Sequence, residues 1–341
     1  MRVKLYGLFA DNYVRAVASL CRGSVDMGTE VEIPDNELEG IKDVAVSLLK
    51  EKETLKAGKQ RFMSPFKGGE NGEEMKSFMR CLELGEGEQS SHLLSYVLGN
   101  FRVGAMNGTA TGRIFSFMKP DLYEFKRIPG KGRLKVDVSV TCEYAALSVM
   151  GWVLTWLGDY KASGQSFSVH LFPIGVDSLF APVMALVKNW SKKGLVPGIA
   201  PLPAFALWLA YYMVNYDALI PRTIVYVMSK QNSRVVEGYW LELGRLEAYS
   251  ELFLDEKGGW MLRAVAEDAL SADSPSRNFS ANFSNLAYQP LNGAGTKEEL
   301  LYRSSREYYS LLASKSKLDE EKVRAYKYAA IVAGRIYSLA R

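Results

Sequence analysis

Histidine is the usual carrier of metal binding and general acid–base chemistry, and this chain has two, His92 and His170. A zinc site or a histidine-based triad draws on more imidazole than that, or on a carboxylate or thiolate set beside it. His92 sits in Ser90-Ser91-His92-Leu93 and reads as a helix-start residue. His170 alternates with apolar residues and reads as a structural strand residue. The acids fare no better. Asp121 and the Glu124-Phe125-Lys126 triplet carry the residue types of a metal-dependent nuclease. That chemistry needs the two acids on adjacent strands so that they share one metal. Only two residues lie between them, too few for a strand turn. Asp137 and Glu143 flank a predicted strand–helix junction where they could pair; they read as solvated surface charges. Gly130-Lys131-Gly132-Arg133 is basic and glycine-rich but lacks the GxxxxGK[ST] spacing that wraps amides around a phosphate. The sequence therefore predicts no catalytic residue, no metal and no cofactor.

Cations are the residues whose grouping points somewhere. Residues 56–67 hold Lys56, Lys59, Arg61 and Lys67 and no acid. Residues 113–135 hold Arg113, Lys119, Lys126, Arg127, Lys131, Arg133 and Lys135 against Asp121 and Glu124. Lysines and arginines on glycine-bearing segments contact phosphates and release counterions without reading sequence. Lys56, Lys59, Arg61, Lys67, Arg113, Lys126, Arg127, Lys131, Arg133 and Lys135 are thus candidate backbone contacts. Ordinary solvated loops remain the alternative. Residues 274–295 differ: one base, no acid, four asparagines, one glutamine and the aromatics Phe279, Phe283 and Tyr288. A stretch of this length reads as a loop. Amides donate and accept at once, which suits a base edge, and aromatics stack on bases. Arg277, Asn278, Asn282 and Asn285 are the candidate readers; anchoring of the loop by Phe279 and Phe283 is the alternative.

The elements that position these residues follow from periodicity. A helix is predicted over 37–56, with Leu38, Ile41, Ala45, Leu48 and Leu49 on one face. A loop over 57–72 leads to helices at 73–82 and 90–98. Residues 133–141 alternate as a half-buried strand, followed by an apolar helix over 143–157. Strands are predicted at 167–172 and 223–228, and helices at 179–190 and 204–219. Thr296-Lys297-Glu298-Glu299 is a capping box opening a helix to about 313. Ser316-Lys317-Leu318-Asp319 opens another, with Val323, Tyr326, Ala330, Ala333 and Tyr337 on one face. The fold class is α+β: a mixed body with basic loops over 1–200, a helix and strand region over 201–295 ending in the asparagine-rich loop, and a helical hairpin over 296–341.

Residues 194–216 carry no charge, but Pro197, Pro201 and Pro203 crowd the first half, so the segment reads as a core helix and not as a membrane span. Cys21, Cys81 and Cys142 are odd in number, far apart and without a CxxC pair. They read as free thiols in a reducing cytoplasm. The start of the chain lacks the apolar run of a signal peptide. Net charge is +4, a mild excess that matters only where it is concentrated.

The size, the α/β body with basic glycine-rich loops at Asn107-Gly108-Thr109-Ala110-Thr111-Gly112-Arg113 and 126–135, and the helical end at 296–341 resemble the large subunit of the archaeal type I-A CRISPR effector complex, Cascade. The low content of glutamine, histidine and cysteine is compatible with a thermophile. The resemblance implies a non-catalytic subunit of a crRNA–protein assembly. Its partners would be crRNA, double-stranded DNA, other Cascade subunits and a helicase–nuclease. It would inspect the protospacer-adjacent motif on the duplex, because such systems leave sequence reading to base pairing. Two readings stand beside it: an assembly subunit without nucleic-acid contact, and a metal-dependent hydrolase whose acids meet only in the fold.

Overall fold

The computed structural model describes residues 1–54, 64–67, 69–84, 93–102, 111–113, 115–118, 139–162, 164–191, 202–216, 223–229, 234–241, 246, 249–271, 277–289, 297–313, 333 and 336. The chain forms two units, one of Met1–Met184 with Ile224–Gly238, the other of Ala185–Thr223 with Tyr239–Arg341.

In the first unit, β1 (Arg2–Lys4), β2 (Val25–Asp26) and β3 (Glu30–Glu32) form an antiparallel sheet in the order β1-β3-β2. Val3 opposes Val31, and both are buried. A turn through Gly7, at φ 68°, leads into α1 (Asp11–Leu20). The Asp11 carboxylate fixes that turn, accepting from the amides of Tyr6 at 3.2 Å and Gly7 at 2.8 Å. It also accepts from the Tyr144 hydroxyl at 2.6 Å. Burial, followed by the charge of Asp11, pushes the Tyr144 phenol far above its ordinary range, so it remains a donor.

Tyr144 lies on α5 (Cys142–Thr155), which follows α2 (Asp35–Thr54), α3 (Glu73–Cys81) and α4 (Leu93–Asn100). Thr141 caps α5, its hydroxyl accepting from the Tyr144 amide at 3.3 Å. Every residue of α5 is buried, which explains why its sequence is apolar all round. It meets α1 closely at Gly151: a Cβ there would stand 2.4 Å from the Tyr13 carbonyl oxygen. Tyr13, fully buried, sits among the rings of Phe9, Phe117, Trp152, His170 and Phe172 at centroid distances of 5.0–5.9 Å. A second sheet runs β6-β7-β8-β9, with β6 (Trp156–Ala162), β7 (Gln165–Pro173), β8 (Thr223–Ser229) and β9 (Arg234–Leu241). His170 on β7 is the structural residue its alternation predicts. It is fully buried, with Nδ1 3.0 Å from the Thr155 hydroxyl and Nε2 3.0 Å from the Ser168 hydroxyl.

Helix α6 (Phe180–Ser191) begins in the first unit. The second unit contains α7 (Leu202–Asn215), α8 (Ser250–Leu254), α9 (Glu256–Leu270), α10 (Arg277–Tyr288) and α11 (Lys297–Ala313). Asp255 caps α9, accepting from the Gly258 amide at 2.6 Å. A Cβ at Gly259 would stand 2.1 Å from the Phe253 carbonyl oxygen, so glycine permits the sharp α8–α9 corner. Among the described residues no helix is long and apolar enough to cross a membrane. The α+β class holds.

Two expectations are corrected. Residues 277–288, expected as part of a loop, form α10, because Phe279, Phe283, Leu286 and Ala287 recur at helical spacing and are buried. Cys81 and Cys142, expected as free thiols, are joined by a disulfide with Cα atoms 5.6 Å apart; Cys21 alone is free. A separation of 61 residues hides a pairing that only the packing of α3 beside α5 creates. Of the predicted strand over 133–141, Ser139–Thr141 is described, as β5. His92 and most of the predicted last helix lie outside the described residues; Ala333 and Ile336 are buried.

Gly151→Ala is expected to lower unfolding stability by about 1–3 kcal/mol, the usual effect of overpacking a closed contact. Gly40→Ala, mid-helix with open space around its Cα, is expected to raise it by about 0.5–1 kcal/mol. Urea titrations of both variants check the pair; equal midpoints would contradict the close α1–α5 approach.

Candidate nucleic-acid interface

One residue from each of the two cation-rich stretches of sequence meets the same carboxylate. Glu74 lies in the first turn of α3, where the helix N-terminus favours negative charge. Its Oε2 accepts from the Lys67 amide at 2.8 Å. Its Oε1 accepts from the Ser116 amide at 3.0 Å and from the Ser116 hydroxyl at 2.5 Å. Lys67 ends the segment over 56–67, and Ser116 lies three residues into the segment over 113–135. The side chain of one residue thus ties the end of one segment to the start of the other.

Aromatic packing supports the tie from beneath. Phe66, buried beside exposed Lys67, packs on Phe78 at 5.3 Å, Phe115 at 5.1 Å and Phe117 at 6.0 Å. The second segment also begins and ends at one place. Strand β4 (Thr111–Arg113) pairs antiparallel with β5, with Arg113 opposite Ser139. The chain that leaves after Arg113 therefore returns to its side four residues after Lys135. The Cys81–Cys142 disulfide joins the far end of α3 to the start of α5, directly after β5. Of the candidate backbone contacts, Lys67 is exposed and Arg113 is placed in β4. Lys56, Lys59, Arg61, Lys126, Arg127, Lys131, Arg133 and Lys135 lie outside the described residues.

The candidate readers lie in the other unit and on a helix. Asn278, Asn282 and Asn285 are exposed and fall at i, i+4 and i+7, a single stripe along α10. Arg277 is half-buried beside them. At about 1.5 Å per residue the stripe is about 10 Å long. The opposite face is fixed: the Ser280 hydroxyl donates to Asp268 at 2.7 Å, and the Tyr249 hydroxyl donates to the Ala287 carbonyl at 2.9 Å. Phe279 and Phe283 anchor the helix and do not face solvent. The signal that reveals this is the 279–283–286–287 spacing, masked in the sequence by the proline, glycine and asparagine around it.

Among the described residues no group of three His, Cys, Asp or Glu side chains is placed to hold a metal. Glu143 is 8% exposed on α5, so it is not the solvated charge expected of it. Asp121, Glu124 and Asp137 lie outside the described residues. Glu74, Ser116 and Asp11 were not singled out by sequence reasoning, since a lone carboxylate carries no spacing signal.

Glu74→Gln turns one acceptor oxygen into a donor that faces another donor. The expected loss is about 1–3 kcal/mol in stability, with faster tryptic cleavage within 56–67 and 113–135. Glu73→Gln, at an exposed carboxylate that pairs with exposed Lys76 at 3.0 Å, should cleave like the unaltered protein. Equal cleavage of all three would remove the tie.

The family described as CRISPR-associated protein, CsaX matches residues 31–308, well over half of the chain and a span that holds both the Glu74 tie and α10. No curated protein matches. The chain therefore belongs to the CsaX family of CRISPR-associated proteins.

Proposed function

We propose that this protein is a non-catalytic, nucleic-acid-binding subunit of a CRISPR RNA-guided surveillance complex, in the position held by the large subunit of type I-A Cascade. It contacts duplex DNA near the protospacer-adjacent motif, sits against crRNA and other subunits, and recruits the helicase–nuclease that cuts. The observation that carries this reading is the Glu74 tie. It joins Lys67 to Ser116, one residue from each of two sequence segments that together hold eleven lysines and arginines against two acids. Concentrated positive charge of this kind follows a phosphate backbone.

The exposed asparagine stripe supports a second component. An acid-free helix face with three amides, about 10 Å long, matches about three base-pair steps of a groove. Asparagine pairs bidentately with adenine at the groove edge. A helix is stiffer than a loop, so it positions those amides with less ordering on binding. A different observation favours pure subunit packing: Tyr216, Leu254, Tyr302 and Tyr309 are each about two-thirds exposed, and tyrosine is enriched in protein interfaces.

Duplex binding measured against salt separates these readings. A slope of about −0.9 per neutralised phosphate is expected, with several phosphates engaged. A flat response would leave subunit packing as the function. Changing Asn278, Asn282 and Asn285 together to alanine is expected to erase preference among DNA sequences, by about 1–3 kcal/mol per lost adenine contact, while the salt slope stays. Uniform weakening on every sequence would contradict base reading.

A further inference from the structure

We propose that Cys81–Cys142 is a thiol–disulfide exchange site whose reduction loosens the Glu74 tie and weakens binding of nucleic acid. The proposal rests on the reading of residues 56–67 and 113–135 as one polyanion-binding surface.

Helix α3 carries both fasteners of that surface. Glu74 stands in its first turn and Cys81 is its last residue, seven positions on and so on the same side of the helix. Glu74 holds Ser116, three residues beyond β4. Cys81 holds Cys142, the residue directly after β5, and β4 pairs with β5. The two ends of α3 are thus fastened to the same hairpin, one by a carboxylate and one by a covalent bond. The disulfide also closes the loop of chain that contains residues 113–135. With the bond broken, α3 keeps the Glu74 bonds and the packing of Phe78 on Phe66 and Phe115, but loses its covalent link to the start of α5.

The chemistry has an accessible start. Cys81 is half-exposed, whereas Cys142 is 1% exposed, so an incoming thiolate meets Cys81 first. The reductant is a dithiol. Its first thiolate attacks the Cys81 sulfur and forms a mixed disulfide. The electron pair of the broken S–S bond leaves on Cys142, which takes up a proton. The second thiolate of the dithiol then attacks its own sulfur in the mixed disulfide and closes the dithiol's ring. Cys81 leaves and takes up a second proton. The protein gains two electrons and two protons, and the dithiol is oxidised to its disulfide. The remaining cysteine does not compete: burial, and then the Glu37 carboxylate, push the Cys21 thiol up to about 12.

The test uses the full chain and a short DNA duplex at fixed low salt. Thiols are counted in denaturant before and after treatment with a dithiol, and affinity is measured in both states. One reactive thiol before reduction and three after are expected. The reduced protein should bind about tenfold more weakly, because Lys67 and Ser116 are then held together less firmly and must be brought together on binding, and re-oxidation should restore the affinity. Cys81→Ser, which cannot be re-oxidised, should stay at the reduced value. Three reactive thiols throughout, or equal affinity in both states, would overturn the exchange site and leave the charged surface standing. Absence of duplex binding in both states would overturn the surface and the switch together.

Discussion

One carboxylate, Glu74, joins two parts of the first unit that lie far apart in sequence. It accepts three hydrogen bonds, two of them from the main chain, at Lys67 and Ser116. Bonds to an ionised acceptor are each stronger than neutral ones, about 1.5–3 kcal/mol. The aromatic layer of Phe66, Phe78, Phe115 and Phe117 fixes the same residues from the apolar side. The hairpin of β4 and β5 returns the second segment to its starting point.

The rest of the first unit supplies a rigid base for that tie. Helix α5, buried throughout, carries Cys142 at one end, Tyr144 in its first turn and Gly151 against α1. Asp11 reaches Tyr144 and holds the turn before α1, so that the small β1-β3-β2 sheet and the central helix share one network. His170 is hydrogen-bonded within this core, its ring nitrogens each 3.0 Å from a hydroxyl, those of Thr155 and Ser168. In this CRISPR-associated protein the interior is packed with buried aromatic rings, and the chemistry proposed lies at the surface and at the Cys81–Cys142 bond.

Much of the fold was legible in the sequence, and the exceptions have physical causes. The helices beginning near 37, 73, 143, 180 and 204 and the strands at 167 and 223 follow from their apolar residues, and the helix beginning near 297 from its capping box. Helix α10 was missed because composition was allowed to outweigh period: Asn278, Asn282 and Asn285 favour turns, yet Phe279, Phe283 and Leu286 bury a face large enough to decide. Cys81 and Cys142 were read as thiols because a disulfide depends on Cα separation in space, which residue count does not report. The grouping of cations was plain from their positions. Their tie to Glu74 was not, since it joins residues 42 apart through one side chain.

The central claim is that residues 56–67 and 113–135 act as one surface. The most direct measurement is the stoichiometry of a short duplex on the full chain, by calorimetry, for the unaltered protein and for variants with Lys59 and Arg61, or Arg127 and Lys131, changed to glutamine. One duplex per chain is expected, with its affinity reduced by either pair of changes. Two duplexes per chain, each sensitive to only one pair, would contradict it.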